Sequence, residues 1–284
     1  MIRIVEVGPR DGLQSETVAV PTEVKVAYVD ALSSAKLPEI EVSAFVSPRW
    51  VPQLADAEEV FRRIRREPGV VYSALVPNEQ GFERALAAGV GKIAVFTAAS
   101  QTFNRKNINA TIEESIRRFE PVVSAARAAR LPVRGYVSTA FWCPYEGRIP
   151  PDRVVDVCRR LLDLGVDEFS IGDTIGKASP EEVRSLLAAI PSVVSLDRVA
   201  LHFHDTYHRA VENAQEARKL GVLTFDSSAG GIGGCPYAPG ASGNVATEAL
   251  IEAFRAGGEE VSGDLPALAA ARRIIAPALG RTAG

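Results

Sequence analysis

A single (β/α)8 TIM barrel, the α/β fold closed from parallel strands, with a short C-terminal helical extension, is the architecture this sequence predicts. Three observations predict it. Short runs rich in Val and Ile alternate with longer stretches of helical period, and the alternation repeats eight times. Glycine and proline punctuate the junctions where helices stop and start. The rival, a doubly wound open sheet, would carry a glycine-rich turn after its first strand, and Gly8-Pro9-Arg10-Asp11-Gly12 lacks that spacing. Strands alternating with helices argue for parallel βαβ units. Eight such units argue for closure, and 284 residues suit a barrel of about 250.

The expected strands, in order, are Ile2–Val7, Glu39–Phe45, Val70–Leu75, Lys92–Thr97, Val133–Thr139, Glu168–Ile171, Val199–His204 and Leu223–Ser227. Helical patterns between them include Thr22–Ser34, Ala55–Arg66, Ile112–Ala129, Asp152–Leu164 and Arg209–Leu220. Thr22 and Thr111 read as N-caps, and Pro151 and Pro180 stand early in their helices. Gly89, Gly165 and Gly221 each close a helix shortly before the next strand. No composition break appears before about Gly257, so the expected division is a catalytic barrel, 1–257, and a tail, 258–284. The tail reads as one more helix, Leu265–Ala276, packed on the barrel.

Composition narrows the class of function. With 46% hydrophobic and 24% charged residues, the chain has ample material for a core. A formal net charge of −3 leaves no nucleic-acid or membrane-surface footprint. No apolar run approaches a membrane span of roughly 18 residues. The chain enters a strand pattern at once, which leaves no room for a signal peptide. Three cysteines, Cys143, Cys158 and Cys235, are an odd count without framework spacing, so a reducing cytoplasm fits best.

In a barrel of this kind, catalytic groups come from the C-terminal ends of the strands and the loops beyond. Strand one is followed by Arg10 and Asp11; strand two carries Glu41, an acid in an apolar run; strand six runs into Gly172-Asp173-Thr174. Strand seven ends Leu201-His202-Phe203-His204, and strand eight leads into a glycine-dense loop from Gly230 to Asn244. Residues two apart on a strand share a face, so both imidazoles can point into the barrel mouth. Two of only three histidines stand at this one strand end, which favours a ligand pair over two core histidines. His208, at the start of the next helix, reads as a solvated surface residue.

Asp11 would add an anionic oxygen and Asn244 a neutral one; their competing readings are a turn residue and a helix cap. Two nitrogens and two oxygens, with water or substrate in the other places, suit octahedral Mg²⁺ or Mn²⁺ better than structural zinc. Arg10 supplies a permanent cation able to hold an enolate or carboxylate oxygen. In the loop Ala229-Gly230-Gly231-Ile232-Gly233-Gly234-Cys235-Pro236-Tyr237, the glycines allow hinge motion. Cys235 would stand at the tip of a lid, where a thiol can transfer a proton in a pocket that closes on substrate.

These residues fall in a pattern. Val5 through Gln14, Ser43 through Gln53, Lys106-Asn107-Ile108-Asn109 and Cys143-Pro144-Tyr145-Glu146-Gly147 resemble segments of the hydroxymethylglutaryl-CoA lyase family. So do Gly172-Asp173-Thr174-Ile175-Gly176 and the run from Asp226 through Cys235-Pro236-Tyr237 to Gly243-Asn244. The resemblance covers residues 3 to about 255 and implies a metal-dependent lyase that cleaves 3-hydroxy-3-methylglutaryl-CoA to acetyl-CoA and acetoacetate. It puts Asp11, His202, His204 and Asn244 at the divalent cation, Arg10 at the enolate and Cys235 on the lid. Glu41 and Asp173 become acidic residues of the pocket, and Gln14, Tyr136 and Ser170 join Arg10 as its expected substrate-binding residues. The base that takes the substrate hydroxyl proton is Asp173 or His202.

One departure stands out: Phe141-Trp142 precedes Cys143 where the family often has a small residue, and is expected to narrow or reshape the pocket. The expected partner is a small-molecule acyl-CoA, with a second copy of the chain as candidate partner and neither nucleic acid nor membrane. The rival readings are the same cleavage of a larger acyl-CoA, a Claisen-condensing acyl-CoA synthase and a silent metal-binding scaffold. The synthases generally carry extra C-terminal domains, for which the stretch after the eighth helix leaves little room. The full set of acid, base, cation and ligand positions argues against the scaffold.

Overall fold

The computed structural model of the chain describes residues 1–235 and 238–282, with the backbone alone at 234–235 and 238–242. Along the chain run β1 (Arg3–Glu6), α1 (Thr22–Ser33), β2 (Glu39–Ala44), α2 (Ala57–Arg63), β3 (Val71–Leu75), α3 (Glu79–Ala87) and β4 (Lys92–Ala98). Then follow α4 (Gln101–Ile108), α5 (Ile112–Ala128), β5 (Val133–Ser138), a small hairpin of β6 (Trp142–Cys143) and β7 (Gly147–Arg148), and α6 (Pro151–Leu164). The chain continues with β8 (Glu168–Asp173), α7 (Pro180–Ala189), β9 (Val199–Phe203), α8 (Ala210–Lys219) and β10 (Thr224–Ser227). A second hairpin, β11 (Gly234–Cys235) with β12 (Ala238–Ser242), precedes α9 (Thr247–Ala256) and α10 (Leu265–Ile275). Eight parallel strands close a barrel in the order β1-β10-β9-β8-β5-β4-β3-β2, as the alternating pattern predicts.

Local chemistry explains the element ends. Thr111 and Ser179 each form a reciprocal capping box with the glutamate three residues on, satisfying two backbone donors apiece. Pro151 and Pro180 occupy first-turn positions, where a missing N–H costs nothing. Thr22, expected as a cap, instead donates its hydroxyl to Asp56, and Pro21 takes the N-cap position. The helix expected over 55–66 is shortened to α2: a 3₁₀ turn, Pro52–Leu54, precedes it, and Ile64 turns extended after it. His208 is exposed and lies ahead of α8 with φ +58°.

Hydrophobic residues on the outward faces of the strands, such as Ile40, Val42, Phe169 and Phe225, pack beneath the helices. The barrel interior is different: it is charged. Lys92 on β4 bonds Glu39 on β2 across the intervening β3, and Arg134 on β5 reaches Asp226 on β10, three strands away. Only side chains that cross the interior can span those strands. All four are buried, so each charge depends on its partner, and removing one would strand the other at a cost of about 3–5 kcal/mol.

Helix α10 lies against α1 and buries Leu268, Ala271 and Ile275 in the core; the two apolar branched side chains among them contribute about 1.5–3 kcal/mol each. Among the described residues no helix is long and apolar enough to cross a membrane.

Candidate active site

The site begins in a tight turn. After β1 the chain coils over Gly8–Gly12, where Val7 O accepts from the N–H groups of Arg10, Asp11 and Gly12. Gly8 is required: a Cβ there would lie 2.6 Å from Glu6 Oε1, 2.7 Å from Tyr28 OH and 2.8 Å from Ser228 Oγ. Buried Glu6 holds the turn, accepting Gly8 N and Ala229 N at 2.9 Å each and the Thr247 hydroxyl at 2.7 Å. The first turn is thereby tied to the start of the loop after β10. Burial pushes the Glu6 carboxyl up to about 8, against the pull of those donors.

Arg10 and Asp11 leave this turn side by side. Asp11 meets His202 and His204, and one donor atom from each of the three lies within 4.8 Å of the others. His202 comes from β9, while His204 lies one residue past it, in an antiparallel bridge with Asn244. That bridge brings the distant Asn244 to the cluster. Asn244 Nδ2 donates to Asp11 Oδ2 at 2.9 Å and Ile232 O at 3.1 Å. The helix-cap alternative for Asn244 fails, because α9 starts at Thr247 with Ala246 at its cap position. Gly233, at φ +111°, lets the loop approach: a Cβ there would stand 2.8 Å from Asn244 Nδ2.

Among the described residues, two atoms of this cluster, Asn244 Oδ1 and His204 Nδ1, are buried without a hydrogen-bond partner. A buried acceptor left unpaired costs about 1–3 kcal/mol, and a cation removes that cost. The donor set fits a metal: a carboxylate, two imidazoles and an amide oxygen. Burial lowers the His204 pKa to about 4, with His202 adding to the effect, so its imidazole is neutral at pH 7. Burial would raise the Asp11 pKa, but Arg10 and the two histidines outweigh it and hold the carboxyl well below the usual range.

Arg10 is nearly enclosed. Its Nε donates to Glu41 Oε2 at 2.6 Å and its Nη1 to Asp11 Oδ1 at 2.8 Å, and its guanidinium lies over the Tyr136 ring, 5.1 Å from the centroid. Tyr136 donates its hydroxyl to the same Glu41 oxygen at 3.0 Å and sets its ring edge-on to His202. Burial raises the Glu41 pKa although Arg10 opposes it. For Arg10, burial is outweighed by Glu41 and Asp11, which keep it a fixed cation.

Asp173 ends β8 fully buried, its oxygens accepting Lys177 N at 3.1 Å and Ala178 N at 2.9 Å. Burial pushes its carboxyl up to about 7 in spite of those bonds. Ser170 is buried below the rim, and Asp226 takes its one hydroxyl proton at 2.7 Å. Gln14 is half-buried just after the Arg10 turn, and among the described residues its Oε1 has no partner. The side chain of Cys235 lies outside the described residues; its backbone pairs antiparallel in the β11–β12 hairpin.

Phe141 and Trp142, expected to narrow or reshape the pocket, make their contacts away from the Asp11–His202–His204 cluster. Phe141 packs on Phe203, which alternates with His202 and His204 and so belongs to the helix-facing side. Trp142 donates to Glu182 in the first turn of α7, with Lys177 Nζ 3.8 Å above its ring. Cys143 is buried. Two residues behind the site, Asp226 and Arg134, escaped the sequence reading. Arg134 carried the signal that marked Glu41, a charged residue inside a strand of otherwise apolar pattern, whereas Asp226 lay in a strand that also holds Thr224 and Ser227.

Comparison with known proteins fits this geometry. The family model described as HMGL-like matches residues 1–275. A mouse protein named 3-hydroxy-3-methylglutaryl-CoA lyase, cytoplasmic, is 50% identical over 281 residues, covering 99% of this chain and 82% of its own. The hydroxymethylglutaryl-CoA lyase of Pseudomonas aeruginosa superposes with a TM-score of 0.97 at 47% identity, covering 100% of this chain and 94% of that one. An HMG-CoA lyase of Acinetobacter baumannii, solved in complex with coenzyme A and 3-methylmalate, gives 0.93 at 36% identity, covering 99% and 92%. With its barrel, its rim of acids and imidazoles and this full-length similarity, the chain belongs to the HMGL-like family and, within it, to the hydroxymethylglutaryl-CoA lyases.

Proposed function

We propose that this chain is an enzyme that cleaves 3-hydroxy-3-methylglutaryl-CoA to acetyl-CoA and acetoacetate by retro-Claisen cleavage. The observation that carries the reading is the convergence of Asp11, His202 and His204 beside a buried Arg10. Asp11, His202, His204 and Asn244 would hold a divalent cation, and two nitrogens with two oxygens favour Mg²⁺ or Mn²⁺. Such an ion, when bound, supplies Lewis acidity that lowers the pKa of the substrate's 3-hydroxyl.

The remaining work falls to side chains of this chain. His202 has Nδ1 beside Asp226, and its Nε2, on the Asp11 side, would be taken by the cation, so with the ion bound it is not the base. That leaves Asp173, with its raised pKa near 7, as the base for the 3-hydroxyl. As the alkoxide becomes the ketone of acetoacetate, the C2–C3 bond breaks and its electron pair moves into the thioester enolate. Among the described residues Arg10 Nη2 has no hydrogen-bond partner, and it is the donor available to the enolate oxygen. Cys235, on the hairpin after β10, gives the enolate the proton that completes acetyl-CoA. Tyr136 and Gln14 complete the proposed pocket, while Ser170 lies beneath it and acts through Asp226.

The same reading divides the chain into a catalytic barrel, 1–257, and a tail, 258–284, and the burial of α10 supports a tail packed on the barrel's flank. Free thiols at Cys143 and Cys158 support placement in the reducing cytoplasm. The test is turnover of hydroxymethylglutaryl-CoA by metal-stripped protein with Mg²⁺ or Mn²⁺ restored, set beside longer 3-hydroxy acyl-CoA analogues. Release of acetyl-CoA and acetoacetate is expected. A protein that cleaves only the longer analogues, or none with either ion, would overturn the assignment.

A further inference from the structure

The carboxylate of Asp226 touches none of the reacting groups above, yet it is buried directly behind them. Arg134 Nη2 donates to its Oδ1 at 2.7 Å and Ser170 Oγ to its Oδ2 at 2.7 Å, while His202 Nδ1 stands 3.3 Å from the same Oδ2. Asp226 and His202 are register partners on β10 and β9, with Ser170 on the next strand, so barrel closure sets this geometry. Arg134 is itself 2% exposed and is held from its other side by Glu168 at 2.8 Å.

A carboxylate that already accepts from a guanidinium and a hydroxyl meets the imidazole as a further acceptor. His202 Nδ1 therefore approaches as an N–H donor, and in a neutral imidazole the other nitrogen then carries the lone pair. That nitrogen, Nε2, is the one 3.9 Å from Asp11 Oδ2. His204 has no equivalent support, since among the described residues its buried Nδ1 has no partner. We propose that Asp226, backed by Arg134 and Ser170, is a positioning residue that fixes His202 as the Nδ1–H tautomer and aims its Nε2 lone pair at the cation site. The proposal rests on the reading of His202 as a cation ligand. Such outer partners of a ligating histidine fix its tautomer and ring orientation, and losing one typically weakens metal binding by about 10–100-fold.

The test reads the tautomer and the affinity separately. Nitrogen-15 NMR of metal-free protein at mildly alkaline pH should show His202 protonated on Nδ1, a reading that needs no variant. Calorimetric titration with Mn²⁺ should then show Asp226→Asn binding about 10–100-fold more weakly, with the His202 tautomer altered. Because that variant strands the buried Arg134 charge, the charge-balanced double variant Arg134→Met with Asp226→Asn is measured beside it, and the same loss is expected. An Nε2–H tautomer in the wild type, or Mn²⁺ affinity within about twofold in either folded variant, overturns the proposal. Failure of the wild type to bind Mn²⁺ while keeping the Nδ1–H tautomer overturns the cation-site reading instead, and leaves Asp226 a structural partner of His202.

Discussion

Replacing Arg10 by glutamine tests the centre of the site, because one buried acid, Glu41, and one half-buried acid, Asp11, lean on that one guanidinium. Arg10 Nε stands 2.6 Å from Glu41 and Nη1 2.8 Å from Asp11, with the Arg10 and Glu41 side chains 7% and 1% exposed. Breaking a buried pair by removing one partner costs about 3–5 kcal/mol when the other stays charged. Glu41 has an escape: burial already raises its pKa against Arg10, so without Arg10 it takes up a proton. The lower end, about 3 kcal/mol, is therefore expected, and against a stability of about 5–15 kcal/mol the variant still folds. For a chain of this size that is a fall in Tm of roughly 5 °C, measurable by calorimetry. Loss of a donor to the enolate should separately cost about 2.7–4 kcal/mol in barrier, or 10²–10³ in kcat, with a modest change in KM. Steady-state kinetics at saturating cation separates this from any change at Asp11. A kcat within about threefold of wild type, only ~0.6 kcal/mol, would refute the role in the transition state and leave Arg10 a structural residue.

Three further outcomes follow from the same geometry. Mn²⁺ at a hundred times its Kd should stabilise the wild type by about 2.7 kcal/mol, and Asp11→Ala and His204→Ala should lose most of that gain while keeping their circular dichroism; equal stabilisation in both variants would remove these ligands. Folded Asp173, raised to about 7 from 3.8 by burial, holds a proton that the unfolded chain releases across that window, so stability should fall as pH rises through it and kcat/KM should rise as the base is freed. Asp173→Asn should flatten both slopes, and an unchanged acid limb of kcat/KM would exclude Asp173 as the base. Alkylation of the native protein should inactivate it at Cys235 and spare Cys158, whose thiol burial pushes up to about 12, and the buried Cys143; peptide mapping that finds the label on either of those two contradicts the assignment.

Local pattern carried much of this molecule. A strand repeats every two residues and a helix every 3.6, so the eight strands, their order and the shared face of His202 and His204 are written in short windows of sequence. Turn and cap chemistry is equally local, as Thr111, Pro151 and Gly165 show. The identity of the rim residues was legible too, because a polar group at the end of an apolar strand has few other reasons to be there.

What lay beyond the sequence is whatever depends on which strand ends meet across the barrel. Arg134 and Asp226 are 92 residues apart, and Asn244 and Asp11 are 233 apart. No local period reports such neighbours; closure of the barrel brings them together. Ser170 looked like a pocket residue until closure gave its hydroxyl to Asp226, and Phe141 looked like an obstruction until its packing on Phe203 placed it behind the wall. The charged interior is the clearest case: Lys92, Arg134, Glu39 and Asp226 are tolerable inside a barrel only as pairs, and the pairing exists only in the closed structure.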